Sequence, residues 1–343
     1  MSAVLYYHSR FGIARAALYL NGQPHYYDEG LESDPSCARV GVRSVARLSG
    51  RAGGVNFLTL ADDTEAVLDL PQNVKTPPLG AAVEVEIIAE ARRDKRARAN
   101  FIKLAEGETR RITPPVSLKA AMLRHAPDAR VVEGDEAVDN LDAAEAEALS
   151  PSGPMPGGGY LSIEPTRALI ACDVDAGVAD TMAVSPKHWA RQCNERAIFE
   201  VARRLRLSNL AGLVVVDLIG RRHDPEIIRG LTQTAFGDET ARLIIAQVTK
   251  FGTLEFIRPW GGAPLRDKAY DEAGRLRPDR AARLLLRKAA EAGCHDGGRL
   301  LTVKAPSVVI DAVRDYLKGS LDPLTARIGF ERDDTAPAAG MIV

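Results

Sequence analysis

The sequence predicts an α/β (α+β) protein built from several domains. Three observations carry that prediction. Short strand patterns crowd into residues 38–104, strands and helices alternate from 160 to 257, and a helix–strand–helix–strand pattern fills the tail. Alternation implies a sheet with helices on its faces, and a run of five short strands fits a small closed barrel. With 343 residues the chain is long enough for two or three units with cores of their own.

In chain order, residues 3–28 read as short strands. Ala17-Leu-Tyr-Leu, Asn21-Gly22 and Pro24-His-Tyr-Tyr make a hairpin pattern whose Asn-Gly pair signals a type I′ turn. Barrel strands are expected near 40–49, 54–60, 64–69, 82–91 and 97–104. Gly50, Gly53-Gly54 and Asp62-Asp63 punctuate the first three, while Pro77-Pro78 and Gly80 precede the fourth. The set fits the OB type of barrel. Residues 105–118 read as a polar connector, 133–149 as a helix with an acidic face, and Pro151–Gly159 as a loop. Strands follow at 160–164 and 168–174. Ser185 and Pro186 mark the N-cap and first position of a helix over 186–207. Its Trp189, Cys193, Ala197, Val201 and Leu205 recur every four residues, so one face packs on a sheet. Gly212–Ile219 reads as a buried strand, Asp224-Pro225 opens a helix that Gly237 closes, and 243–248 and 254–257 are further strands. Residues 259–278 read as a linker rich in Pro, Gly and charge. The tail reads helix 279–292, strand 299–304, helix 306–318 and strand 325–331, with the last ten residues frayed.

Composition narrows the function. A chain 45% hydrophobic and 5% aromatic is globular rather than disordered. No apolar run is long enough for a bilayer, and the start lacks a basic stretch followed by an apolar one. A cytoplasmic protein without a membrane partner is expected. Cys37, Cys172, Cys193 and Cys294 form no Cys-x-x-Cys pair, and the six histidines form no His-Glu-x-x-His. That argues against a zinc ribbon and a disulfide framework. A bound metal would be held by carboxylates, which points to a hard cation, Mg²⁺ or Mn²⁺. The net charge of −1 conceals unevenness: Arg92, Arg93, Lys95, Arg96, Arg98, Lys103, Arg110 and Arg111 cluster, whereas 133–147 is acidic. Such a cluster can bind phosphate, or be an ordinary solvated surface.

Two carboxylates stand out. Asp173 ends Ala-Leu-Ile-Ala-Cys-Asp-Val-Asp, and Asp217 lies near the end of Leu-Val-Val-Val-Asp-Leu-Ile. A charge after four apolar residues is costly unless it has a partner, a metal or an exit at the strand end. On strands of one sheet the two could meet at its carboxyl edge, where open α/β sheets bind ligands. Asp175 faces the same side as Asp173, because strand side chains alternate. Phosphodiester hydrolysis uses this arrangement, with a divalent ion activating water. Strand-end aspartates that merely cap the next element are the plain alternative.

The chain also resembles a known family. Gly158-Gly-Tyr-Leu-Ser-Ile-Glu-Pro-Thr-Arg-Ala-Leu-Ile-Ala-Cys-Asp173-Val-Asp175 resembles the hairpin that carries the first metal-binding Asp of the ribonuclease E/G family. Asn194-Glu-Arg-Ala…Leu-Val-Val-Val-Asp217-Leu-Ile is similar to its helix, strand and second metal Asp, and Val248-Thr-Lys-Phe-Gly-Thr-Leu-Glu-Phe-Ile-Arg258 to its next strand and turn. The resemblance implies a DNase I-like catalytic subdomain over 158–262. It also implies an RNase H-like subdomain from 1–37 and 110–157, with an OB-fold RNA-binding domain (38–107) inserted, and a linker with a small α/β C-terminal domain over 263–343. The implied activity is endonucleolytic cleavage of single-stranded RNA by Mg-activated water, leaving 5′-phosphate and 3′-hydroxyl ends. Asp173 and Asp217 would hold the ion and Asp175 would position it or the water.

Phe57 matches an aromatic that stacks on a base in the family, which otherwise reads as a core residue; Val67 stands where a second aromatic is usual. Lys95 matches a basic position beside the nucleic acid, and Arg96, Arg98, Asn194, Lys250 and Arg258 complete the expected RNA-binding set. Lys250 and Arg258 could instead pair with Glu255, and Asn194 could orient the metal site or sit exposed on its helix. The sequence also departs from the family elsewhere, Arg258-Pro-Trp260 replacing a more basic stretch. Asp175 replaces a usual Asn, no Arg-Thr motif for a 5′-monophosphate occurs between 110 and 130, and the linker lacks the zinc-binding cysteines. No zinc-linked tetramer is expected, and a homodimer is left open. The alternatives to a nuclease are an RNA-binding protein without turnover on the same scaffold and a metal phosphohydrolase of small nucleotides.

Overall fold

The computed structural model describes residues 2–93, 95–177, 185–295 and 298–343. The first three strands, β1 (Ala3–Arg10), β2 (Ile13–Leu20) and β3 (Gln23–Leu31), form an antiparallel meander. Asn21 and Gly22 join β2 to β3 with φ of 51° and 80°, the left-handed pair a type I′ turn requires. β2 is buried on both faces, which suits a central strand carrying Ala14, Ala16, Ala17 and Leu18.

The barrel follows as β4 (Arg43–Ala52), β5 (Val55–Thr59), β6 (Glu65–Asp69), β7 (Ala82–Ala89) and β8 (Ala97–Leu104). Its ladder runs β5-β6-β8-β7-β4, and a β4–β5 pairing closes the ring. This closed five-stranded barrel fits an OB-like fold. Leu48, Leu58, Leu68, Val83, Val85, Ile87, Ala97 and Ala99 fill it, one face of each alternating strand.

β9 (Arg110–Arg111) pairs with β4, so the expected connector contains a short strand. α1 (Leu118–Leu123) and β10 (Arg130–Glu133) come next, β10 lying parallel to β1. The acidic helix begins later than expected: α2 spans Val138–Leu149, because 130–133 are already committed to the sheet. α1 and α2 cover opposite faces of the first sheet, against Leu5, Ala16 and Leu18 and against Ala17, Tyr19 and Tyr27.

A six-stranded sheet then contains β11 (Gly153–Pro154), β12 (Tyr160–Pro165), β13 (Ile170–Asp175), β14 (Gly212–Asp217), β15 (Ile244–Ile245) and β16 (Thr253–Arg258), in the order β11-β12-β13-β14-β16-β15. β13 and β14 are parallel neighbours joined through α3 (Pro186–Leu207). The Ser185 hydroxyl caps that helix by accepting from the His188 amide at 3.4 Å. α4 (Pro225–Phe236) is capped by Asp224 and ends at Gly237. Both helices pack on one face of the sheet, where Leu161, Ile163, Cys172, Val174, Val214, Val216, Leu254 and Phe256 meet Cys193, Ala197, Val201, Leu205 and Ile228. Among the described residues no helix packs on the other face.

Residues 259–278, read as a linker, are not irregular throughout. They contain α5 (Leu265–Ala269), and Tyr270 bridges to Leu276. Leu265 is buried with Ala17, Tyr27 and Leu141, so tertiary packing orders a segment whose local sequence does not. The tail comprises α6 (Pro278–His295), β17 (Leu301–Ala305), α7 (Ser307–Leu317), β18 (Ile328–Arg332) and β19 (Met341–Ile342). β19 pairs with β17 at Val303 and Lys304, so the last ten residues are not simply frayed. Among the described residues no helix is long and apolar enough to cross a membrane.

Candidate functional site

The face of the six-stranded sheet opposite these helices carries the acidic residues. Asp173 and Asp217 are direct register partners on the parallel strands β13 and β14. Partners on adjacent strands lie about 4.8 Å apart and point to the same side. Both face away from Cys172, Val174 and Val216, which are buried under the helices, and both are exposed. Among the described residues neither carboxylate has a hydrogen-bond or ion-pair partner. Asp175, two residues on, is exposed on the same face, and its Oδ1 accepts from the Gly177 amide at 2.8 Å. The backbone of Gly159 packs on this strand end: a Cβ there would lie 2.6 Å from the Asp175 carbonyl, so the glycine loop before β12 is needed for the fit.

The row extends sideways. Ser162 on β12 is the partner of Asp173, and Thr253 on β16 is the partner of Asp217. The Thr253 hydroxyl lies 2.6 Å from that of Thr249 and donates to Glu255 at 3.2 Å. Glu164 and Glu255 follow two residues along on the same face. These flanking residues were not singled out from the sequence, although the alternation Leu161/Ser162/Ile163/Glu164 carries the signal. Cys172 lies on the opposite face, where burial pushes its thiol up to about 12 and keeps it protonated.

Two adjacent carboxylates fit a hard divalent cation. Among the described residues no group of three or more His, Cys, Asp or Glu side chains is placed to hold a metal. The donor set is therefore open rather than a closed cage. Mg²⁺ suits it, since that ion keeps several waters and takes one or two carboxylates plus substrate phosphates.

The expected RNA contacts divide. Phe57 is half-buried and outside the barrel core, in one row with Val67 and Arg98. The Arg96 guanidinium lies 5.2 Å from its ring centre. Arg96 and Arg98 each pair with an acid, Glu65 and Asp69, at 2.7 Å. Lys95 is in the β7–β8 hairpin, bridged to Arg92. The root of that hairpin docks on the six-stranded sheet. Arg92 stacks 3.9 Å over Trp260, Arg93 donates to the Thr166 carbonyl at 3.3 Å, and Glu90 accepts from the Ala263 amide at 3.0 Å.

Lys250 is exposed in the turn that leads to Thr253. Arg258 does not pair with Glu255 as considered from the sequence. It turns inward, donating to Glu239 at 3.0 Å and to the Leu210 carbonyl at 2.7 Å, because its strand ends against α3 and the segment before β14. Asn194 is not on an exposed helical face. It is 3% exposed, and its amide is engaged with the backbone of Ile219. A cleft of about 1040 Å³ between the barrel hairpin and residues 263–283 contains neither Asp173 nor Asp217. Among the described residues the acidic row is an open surface instead.

Residues 120–260 match the ribonuclease E/G family. Ribonuclease E of Nostoc sp. (strain PCC 7120) is 39% identical over 121 residues, 34% of this chain and 17% of the relative. Ribonuclease E of Synechocystis sp. (strain PCC 6803) is 33% identical over 127 residues, 36% of this chain and 19% of the relative. Ribonuclease E of Escherichia coli K12 is 36% identical over 107 residues, 30% and 10% respectively. The chain thus spans less than a fifth of the length of these relatives.

Proposed function

We propose, from the match of residues 120–260 to the ribonuclease E/G family, that the protein is a Mg²⁺- or Mn²⁺-dependent endoribonuclease of single-stranded RNA. The products would carry 5′-phosphate and 3′-hydroxyl ends. The observation that carries the reading is the register pairing of Asp173 with Asp217 on the sheet face opposite the helices.

In this reading Asp173 and Asp217 hold the cation. When bound, it lowers the pKa of a coordinated water and offsets charge developing on the phosphate. Asp175 adds a third negative charge at the same edge and keeps the strand end in its turn through Gly177. Phe57 offers a face for base stacking, which tolerates any sequence. Lys95, Arg96 and Arg98 neutralise phosphates along the barrel, and Lys250 does so beside Asp217. Asn194 and Arg258, both turned inward, serve the scaffold rather than the RNA.

The same reading assigns residues 1–37 and 110–157 to an RNase H-like subdomain, 38–107 to the RNA-binding barrel, 158–262 to a DNase I-like catalytic subdomain and 263–343 to the linker and C-terminal unit, in a cytoplasmic protein. The test is incubation with end-labelled unstructured RNA, with Mg²⁺ and with EDTA. Internal cuts that require the metal and vanish in Asp217→Asn are expected; unchanged cutting by that variant would sink the mechanism. The lack of a third metal-binding side chain among the described residues favours one other reading, an RNA-binding protein without turnover. It predicts salt-sensitive binding and intact RNA.

A further inference from the structure

We infer that Asn194 is a positioning residue for the proposed metal pair, its carboxamide clamping the chain two residues beyond Asp217 and so fixing the direction of that carboxylate. The inference rests on the metal reading above.

The two aspartates are supported unequally by the sheet. Asp173 is internal to β13, paired on both sides with Ser162 and Asp217, and two more strand residues follow it. Asp217 is the last residue of β14, and its pairings with Asp173 and Thr253 are the last in both ladders. A strand terminus frays unless something replaces the missing ladder bonds. Asn194 replaces them. Its Nδ2 donates to the Ile219 carbonyl at 3.0 Å, and its Oδ1 accepts from the Ile219 amide at 2.9 Å, which reproduces a strand partner with one buried side chain.

The next residue is held as well. The Gly220 carbonyl accepts from the His223 ring at 2.8 Å, and Gly252 packs so closely that a Cβ there would lie 2.5 Å from the same oxygen. Leu218 is 3% exposed. Three consecutive residues are therefore fixed, while the Asp217 carboxylate is exposed and has no partner among the described residues. That is the arrangement of a preorganised ligand, whose support shell must hold it to within about 0.5 Å.

A carboxamide offers a peptide unit one donor and one acceptor on adjacent atoms; ionised Asp loses the donor and Ala loses both. The test is Mn²⁺ titration of the full chain by electron paramagnetic resonance, for wild type, Asn194→Ala, Asn194→Asp and Asp217→Asn. Hydrogen exchange at the Ile219 amide is followed in parallel. We expect Asn194→Ala to raise the Mn²⁺ Kd about tenfold or more, the usual effect of removing a support for a metal ligand, and Asn194→Asp to fall between it and wild type. Ile219 exchange should accelerate in both. Saturating metal should restore most RNA cleavage to the Asn194 variants but not to Asp217→Asn. A folded Asn194→Ala with wild-type Kd overturns the inference. If that variant does not fold, a wild-type Kd in Asn194→Asp overturns it. If wild type and Asp217→Asn bind Mn²⁺ equally, the metal reading itself fails, which is a distinct result.

Discussion

Exposed charged side chains keep most of their hydration, so Asp173, Asp175 and Asp217 can stand in one patch without the cation a buried acid needs. The same hydration makes each charge count modestly. In Asp175→Asn the amide oxygen can still accept from Gly177, so the turn survives and only a charge is lost. A charge one strand step away in a solvated setting contributes about 1 kcal/mol or less. Half-saturating Mg²⁺ for cleavage should therefore rise a few-fold with little change at saturation; an unchanged metal titration would reduce Asp175 to a turn residue. On the barrel, Phe57 lies outside the core, so Phe57→Ala should weaken single-stranded RNA binding by about 1–3 kcal/mol while leaving the unfolding midpoint nearly in place. Fluorescence anisotropy with a labelled oligonucleotide measures the first and calorimetry the second. The direction of the aspartates was legible because strand alternation fixes which way a side chain points, whereas Phe57 by itself reads as core and only the resemblance set it apart. The inward turn of Arg258 was not legible, because its partner Glu239 is nineteen residues away in sequence and reaches it only through the fold.

At the scale of elements, α3 spans 186–207 as read, because Ser185 and Pro186 mark its start and its apolar positions recur every four residues. Local signals of that strength are rare. α5 and β19 were missed since five and two residues carry no periodicity; Leu265 and the β17 edge hold them by tertiary contact. The clasp that seats the C-terminal unit was equally hidden. Glu29 on β3 is 2% exposed and accepts from Arg280 at 2.7 Å, from Arg283 at 3.2 Å and from Arg287, while Glu145 on α2 receives Arg15, Arg280 and Arg287. Burial alone would raise the Glu29 carboxyl, but the guanidiniums of Arg287, Arg280 and Arg283 overcome it and hold it below its ordinary value. A carboxyl depressed by folding contributes stability that is complete above its unfolded value of about 4.3 and is lost as pH falls through the folded value. Glu29→Gln should lower stability at neutral pH by about 3–5 kcal/mol, the usual cost of removing one member of a buried pair. It should also flatten the loss of Tm below about pH 4. Thermal scans across pH decide this, and a variant with the wild-type acid slope would show that the clasp is not what titrates.

Over the whole molecule the net charge is −1, so the proposed RNA affinity would have to come from a local surface rather than a global field. The barrel hairpin supplies it only in part. Arg92 and Arg93 are drawn into docking on Trp260 and the Thr166 carbonyl, where they set the position of the barrel against the six-stranded sheet. Lys95, Arg96, Arg98 and Lys103 are the remaining cations of the hairpin and β8, and each has a partner of its own. Arg96, Arg98 and Lys103 already pair with Glu65, Asp69 and Glu84, but cations this exposed give up such partners for about 0–1 kcal/mol each. Counterion release from a single strand gives a slope of about −0.7 in log K against log salt per phosphate neutralised. Four cations therefore predict a slope near −3, and Arg96→Ala or Arg98→Ala should each make it shallower by about 0.7. Binding isotherms of an unstructured oligonucleotide at several salt concentrations, without divalent metal, measure it. A slope steeper than about −5 would require a second basic surface. A flat one would remove the barrel from the path of the RNA and leave the acidic row to hold its substrate through the cation alone.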